Sequence, residues 1–130
     1  MKFAVAINCI DGRVQLPVIE WLKENYRVDF VDIVTEPAPD LILSTIEDDV
    51  KIESIRSRVE LSIKKHDTRI VAVVGHHDCA GNPVDEKKHI KHISGAIKIV
   101  ESWGYNVKVI GLWVDAEWTI KIINSLRSEF

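Results

Sequence analysis

Apolar and polar positions along the chain follow two periods. Phe3 to Asn8 (FAVAIN) is an almost unbroken apolar run, the pattern of a short buried strand. From Val14 to Tyr26 the spacing becomes helical, with Val14, Val18, Trp21 and Leu22 on one face and Pro17 suited to the first turn. Val28 to Val34 (VDFVDIV) interleaves Asp with apolar residues, which predicts a strand with one more exposed face. Two prolines make "TEPAPD", Thr35 to Asp40, a loop. Ile52, Ile55, Val59 and Ile63 stripe the charged segment Val50 to His66, an amphipathic helix. Arg69 to Gly75 is a second β-branched run and the predicted central strand. Asp85 to Trp103 carries Ile90, Ile93, Ile97 and Val100 at helical spacing, with Gly104 just past its end. Tyr105 to Val114 (YNVKVIGLWV) is a fourth strand. Beyond it, Trp118, Ile120 and Ile122 alternate like a strand, while Trp118, Ile122 and Leu126 would serve a helix.

Strands alternating with helices predict an α/β fold: a three-layer, mostly parallel sheet with helices on both faces. The sheet has four strands, and the tail offers a fifth. Right-handed crossovers favour the order 2-1-3-4, which reverses direction between strands 1 and 3. Ligands of open α/β sheets bind at such a switch point, at the carboxyl ends of the strands. Cys9 directly follows strand 1, and His76 and Cys79 directly follow strand 3. The topology therefore predicts that these three residues meet in one crevice.

Composition narrows the class. A length of 130 residues fits one domain, read here as 1–130, with room for a hydrophobic core. The net charge of −3, with no long block of like charge, gives no reason to expect nucleic acid or an anionic membrane as partner. No apolar stretch reaches the ~20 residues of a membrane span. The start, MKFAVAINCIDGR, is too short in its apolar part for a secretion signal. Two cysteines without such a signal point to a reduced, cytoplasmic setting.

Two thiolates and an imidazole are a familiar donor set for zinc, leaving the fourth tetrahedral position for water or substrate. Ordinary burial of Cys9 and Cys79 is the competing reading, because free cysteine is among the most buried residue types. Asp11 and Arg13 lie two and four positions past Cys9. The carboxylate could close the metal site, or the Arg fork could hold it off the metal and aim it at a bound water. The open arrangement, with Asp11 paired to Arg13, is expected near neutral pH. His77 reads as a supporting or proton-relay residue, or a solvated one. Glu36, ending strand 2 beside strand 1, could enter the crevice as an acid–base group or stay at the surface. Asp78 reads as capping the amides of its own loop. His89 and His92, among Lys87, Lys88 and Lys91, read as a solvated basic face. Trp113 reads as core, with a place open to it in the pocket wall.

The segments "CIDGR" (Cys9, Asp11, Arg13) and "HHDC" (His76, Cys79) match C-x-D-x-R and H-x-x-C, the two signatures of β-class carbonic anhydrases. Gly75, Asp78 and "GLWVD" are also similar to that family, and the resemblance runs from about residue 3 to about residue 116. It implies that Cys9, His76 and Cys79 bind Zn2+ and that Asp11 and Arg13 form the catalytic dyad. It implies reversible hydration of CO2 to bicarbonate by zinc-bound hydroxide; relatives on this scaffold hydrolyse carbonyl sulfide or carbon disulfide. It also implies a homodimer or larger homo-oligomer, for which Trp118 to Phe130 is a docking element. Family members usually begin with a helical arm whose glutamine and aromatic complete the CO2 pocket. Here only Met1 and Lys2 precede the strand, and the one glutamine, Gln15, lies elsewhere. "TEPAPD" stands where the family has an Asn-Ala-Gly loop, and Ala80 separates Cys79 from Gly81. The chain reads as a compact, divergent member in which the metal and dyad carry over and the pocket does not. The alternative is a non-catalytic zinc-binding or sensor protein on the same fold.

Overall fold

A computed structural model describes residues 1–124. Strand β1 (Phe3–Cys9) leads through a 3-10 turn into helix α1 (Gln15–Tyr26) and strand β2 (Phe30–Glu36). Helices α2 (Pro39–Thr45) and α3 (Asp49–His66) precede strand β3 (Ile70–His76). Helix α4 (Glu86–Ser102), strand β4 (Lys108–Val114) and strand β5 (Ile120–Ile123) complete the described chain. The sheet order is β2-β1-β3-β4-β5. The first four strands pair in parallel, and β5 runs antiparallel to β4. The predicted α/β architecture and the order 2-1-3-4 are thus present, and the tail supplies the fifth strand. The helical reading of the tail is replaced by strand at Ile120 and Ile122; Leu126 lies outside the described residues.

Alternation in the central strands builds two cores. Ala4, Ala6, Ala72 and Val74 face Val14, Val18 and Leu22 of the α1 side. Three of those four strand residues are alanines, which lets α1 approach the sheet closely. Val5, Ile7, Val71 and Val73 face the other way, against Leu43 of α2, Ile55 and Val59 of α3, and Ala96 and Val100 of α4. Burying each large aliphatic side chain contributes about 1.5–3 kcal/mol. Both central strands are therefore held on both faces, and their carboxyl ends have little freedom to drift.

Three local readings are corrected. The predicted loop Thr35 to Asp40 ends early, because α2 begins at Pro39, with Pro in its first turn and Asp40 buried behind it. Strand β2 sits about two residues later than its hydrophobic pattern predicts, because Asp29 and Phe30 amides pair with the Lys2 carbonyl at its start. His89 is not solvated: with Ile93, Ala96, Ile97 and Val100 it lies on the buried stripe of α4, while Ile90 is only partly buried. The predicted end of α4 holds, with Gly104 at φ +78° just beyond it.

Candidate metal centre

Strands β1 and β3 are neighbours, with Val5, Ala6 and Ile7 beside Val71, Ala72 and Val73. Their carboxyl ends release Cys9 and His76 at the same edge, and the turn after His76 returns Cys79 to it. One ligand atom from each of Cys9, His76 and Cys79 lies within 4.8 Å of the others, and all three residues are buried. Among the described residues this is the one group of three or more such side chains with converging donor atoms.

The imidazole is oriented for ligation. His76 Nδ1 lies 2.7 Å from the carbonyl oxygen of His77, which can only accept, so Nδ1 carries the proton. Nε2 is then the basic nitrogen; it is buried and has no hydrogen-bond partner. A buried nitrogen lone pair facing two sulfurs fits a soft divalent cation such as zinc. Each sulfur also faces backbone amides, those of Ala38 and Asp11 at Cys9 and those of Gly81 and Asn82 at Cys79. Cys79 donates to Cys9, and this contact, with His76 and the amides, outweighs burial and lowers the Cys9 thiol. The same contact, reinforced by burial, raises Cys79. Burial disfavours a charged His76, but Cys9 and the His77 carbonyl outweigh it and raise the imidazole. The cluster is thus two sulfurs sharing one proton, and a cation can take that proton's place.

Asp11 stands outside the cluster because Arg13 holds it. Arg13 Nε and Nη2 reach Oδ1 and Oδ2 at 3.0 and 2.7 Å, and the Arg13 amide adds a bond to Oδ1 at 2.9 Å. The guanidinium holds the Asp11 carboxyl down at about 2. Arg13 is fixed in turn. Nη1 donates to the Asp78 carboxylate and Nη2 to the Asp78 carbonyl, both at 3.2 Å, and the guanidinium lies 4.9 Å from the centre of the Trp118 ring. The Asp78 side chain therefore braces Arg13 rather than capping its own loop, and Asp78 itself adopts φ 56°.

The other site candidates separate. His77 is exposed and lines a cavity of about 370 Å³ with Asp78, Trp113 and Glu117. Trp113 is buried, and its Nε1 has no partner. Glu36 pairs with Cys9 in the sheet register, but its carboxylate is bound to Arg58 of α3. Sequence reasoning set Gln15 aside. Its Nε2 donates to the carbonyls of Cys9 and Asp11 at 2.7 and 2.9 Å, and its Oε1 accepts from buried Asn8. Asn8 and Gln15 together hold the loop that carries Cys9 and Asp11. The signal for this was Asn8 itself, a polar residue in an otherwise apolar strand.

A mostly parallel sheet with a Cys-His-Cys cluster at its switch point defines a carbonic-anhydrase-like α/β protein able to hold a metal. A family model described as "Putative carbonic anhydrase" matches residues 1–124, and the chain belongs to that family. Among solved structures it is similar to a tetrameric β-carbonic anhydrase of the filamentous ascomycete Sordaria macrospora. The TM-score is 0.62 at 14% identity, over 93% of this chain and 79% of that one. It is also similar to the β-carbonic anhydrase CafA of the fungal pathogen Aspergillus fumigatus, with TM-score 0.59 and 13% identity over 98% of this chain and 77% of that one. At these identities the likeness shows the fold. No curated protein matches the chain in sequence. None of the described helices is long and apolar enough to cross a membrane.

Proposed function

We propose that the chain is a zinc-dependent carbonic anhydrase that hydrates CO2 reversibly to bicarbonate. The observation that carries this reading is the unpartnered Nε2 of His76 facing two sulfurs, with a carboxylate held just outside them. Cys9, His76 and Cys79 would hold the metal. When bound, zinc supplies Lewis acidity that brings the ionisation of water toward neutral pH, and two thiolates temper that acidity. The protein's part is to supply a proton acceptor and to aim it. Oδ1 of Asp11 takes Arg13 Nε at 3.0 Å and the Arg13 amide, and Oδ2 takes Nη2 at 2.7 Å and, more weakly, the same Nε at 3.2 Å. Asp11, kept a carboxylate by Arg13, would serve as the proton acceptor at the centre. The Asp78 carboxylate and the Trp118 ring keep the guanidinium, and through it Asp11, from turning toward the sulfurs. A purely structural metal has no use for an acceptor braced in this way.

Elemental analysis of reduced protein should give one zinc per chain. Arg13→Ala should keep the zinc and lose CO2 hydration by roughly 100-fold or more, and Asp11→Asn should do the same. Parental hydration rates in both variants would refute the catalytic reading.

The chain would work as a homo-oligomer. Ile10 and Leu16 flank the site loop, 64% and 61% exposed, apolar surface for a second copy to cover. Sedimentation at micromolar concentration should show a dimer or larger, and a monomer would count against it. CO2 or bicarbonate is the proposed small-molecule partner, and the cytoplasm the proposed location.

A further inference from the structure

A buried polar chain lies behind the cysteines, and no step above uses it. Asp40 Oδ2 is 2.7 Å from His89 Nδ1, and both residues are at most 1% exposed. His89 Nε2 is 2.9 Å from the carbonyl oxygen of Asn82, itself 2% exposed. The Asn82 side-chain amide donates to His92 Nδ1 at 2.9 Å. A carbonyl can only accept, so His89 Nε2 carries a proton, and Nδ1 faces the Asp40 carboxyl. Trp113 closes one side of the His89 ring, with centroids 5.1 Å apart.

The two partners of His89 belong to the segments at the sulfurs, Asp40 in the first turn of α2 and Asn82 in the turn after Cys79. Asp40 is two residues past Ala38, whose amide faces Cys9, and Ala38 is held at φ 55° to present it. Asn82 directs its own amide at Cys79, meeting both the carbonyl, at 3.2 Å, and the sulfur. His89, on α4, bonds to both segments. An amide bonded to a thiolate ligand sets how firmly that ligand holds its metal.

We propose that His89, clamped between Asp40 and Asn82, is a positioning residue for the metal centre: it locks together the two loops whose amides face Cys9 and Cys79. This rests on the metal reading above and makes no use of the substrate. The test is zinc release to an excess of chelator, together with the sulfur-to-metal charge-transfer band of cobalt-loaded protein. The double variant Asp40→Leu/His89→Phe replaces the buried pair with apolar groups, a change that buried ion pairs often tolerate without loss of stability. It should release zinc roughly 10- to 100-fold faster than the parent and shift the cobalt band. His92→Leu, at a half-buried position, should give the same effect in weaker form through Asn82. Ile55→Val, in the core beneath α3, should lower stability with release and band unchanged. Parental release and band in both network variants would overturn the proposal, as would faster release in Ile55→Val matching theirs. Zinc retention is read without CO2, so a chain that holds zinc and fails to hydrate CO2 defeats only the catalytic reading. A parent chain that binds neither zinc nor cobalt defeats both.

Discussion

Gly75 shows how a residue can matter through what it lacks. It immediately precedes His76 in β3, and a Cβ built there would lie 2.8 Å from Asp40 Oδ2 and 2.9 Å from Ile93 Cδ1. The Ile93 methyl can swing aside, but the Asp40 oxygen is fixed by His89. Gly75→Ala should therefore destabilise the fold by about 1–3 kcal/mol, the usual range for overpacking. At Gly12 nothing lies within 4 Å of such a Cβ, so Gly12→Ala should stay within about 0.5 kcal/mol of the parent. Urea midpoints measure both, and equal midpoints would contradict the packing account. The sequence marked Gly75 by its place in a motif; the reason for the glycine lay in Asp40, thirty-five positions away, which no local pattern reveals. A separation of 65 positions hid the role of Asp78, whose partner Arg13 comes from the first loop. His89 is different, because its place on the α4 stripe four residues before Ile93 was legible. Three neighbouring lysines made the segment look solvated, although a helix turns His89 away from Lys87, Lys88 and Lys91.

At the scale of elements, the strands and long helices were legible and the short helix α2 was not. Helices α3 and α4, of 18 and 17 residues, span enough turns for an apolar stripe to repeat. Helix α2 has seven residues and no side-chain cap, because the preceding Ala38 offers no acceptor. Its one local signal was Pro39 in the first turn, which reads equally well as part of a proline loop. Helix α2 ends at Ile46 in the left-handed conformation, φ 56° and ψ 34°, where a β-branched side chain is strained. Ile46 is 56% exposed, so its side chain contributes little packing in exchange. Ile46→Gly should relieve about 1–2 kcal/mol of left-handed strain, partly offset by the greater freedom of glycine in the unfolded chain. The net expectation is a gain of about 0.5–1 kcal/mol, read as a higher urea midpoint with an unchanged slope. A lower midpoint would mean that the Ile46 side chain packs more than its exposure implies.

For the whole molecule, fold and centre are built on one device, a parallel sheet whose first and third strands lie side by side. That device was legible because the hydrophobic pattern sets a helix between each pair of successive strands and handedness leaves few orders open. It places Cys9 and the His76–Cys79 turn at one edge, where both cysteines join the end of the core on the α1 side, while the other core lies on the opposite face of the sheet. Most of both cores is apolar packing away from the centre, and a cation there would tie the ends of β1 and β3 together. Metal binding to the native state alone stabilises by RT ln(1 + [L]/Kd), about 4 kcal/mol at a thousandfold excess over Kd. For a chain of this size each kcal/mol moves the melting temperature by roughly 3–5 °C. Stripping zinc from the protein should lower the calorimetric Tm by roughly 10–20 °C while leaving a cooperative transition, because the cores persist. Adding back zinc should restore the higher Tm, whereas magnesium, which prefers oxygen ligands, should not. If stripped and zinc-loaded protein melt together, the cluster holds no zinc of consequence. If stripping abolishes the transition altogether, the two cores are less independent of the site than their packing indicates.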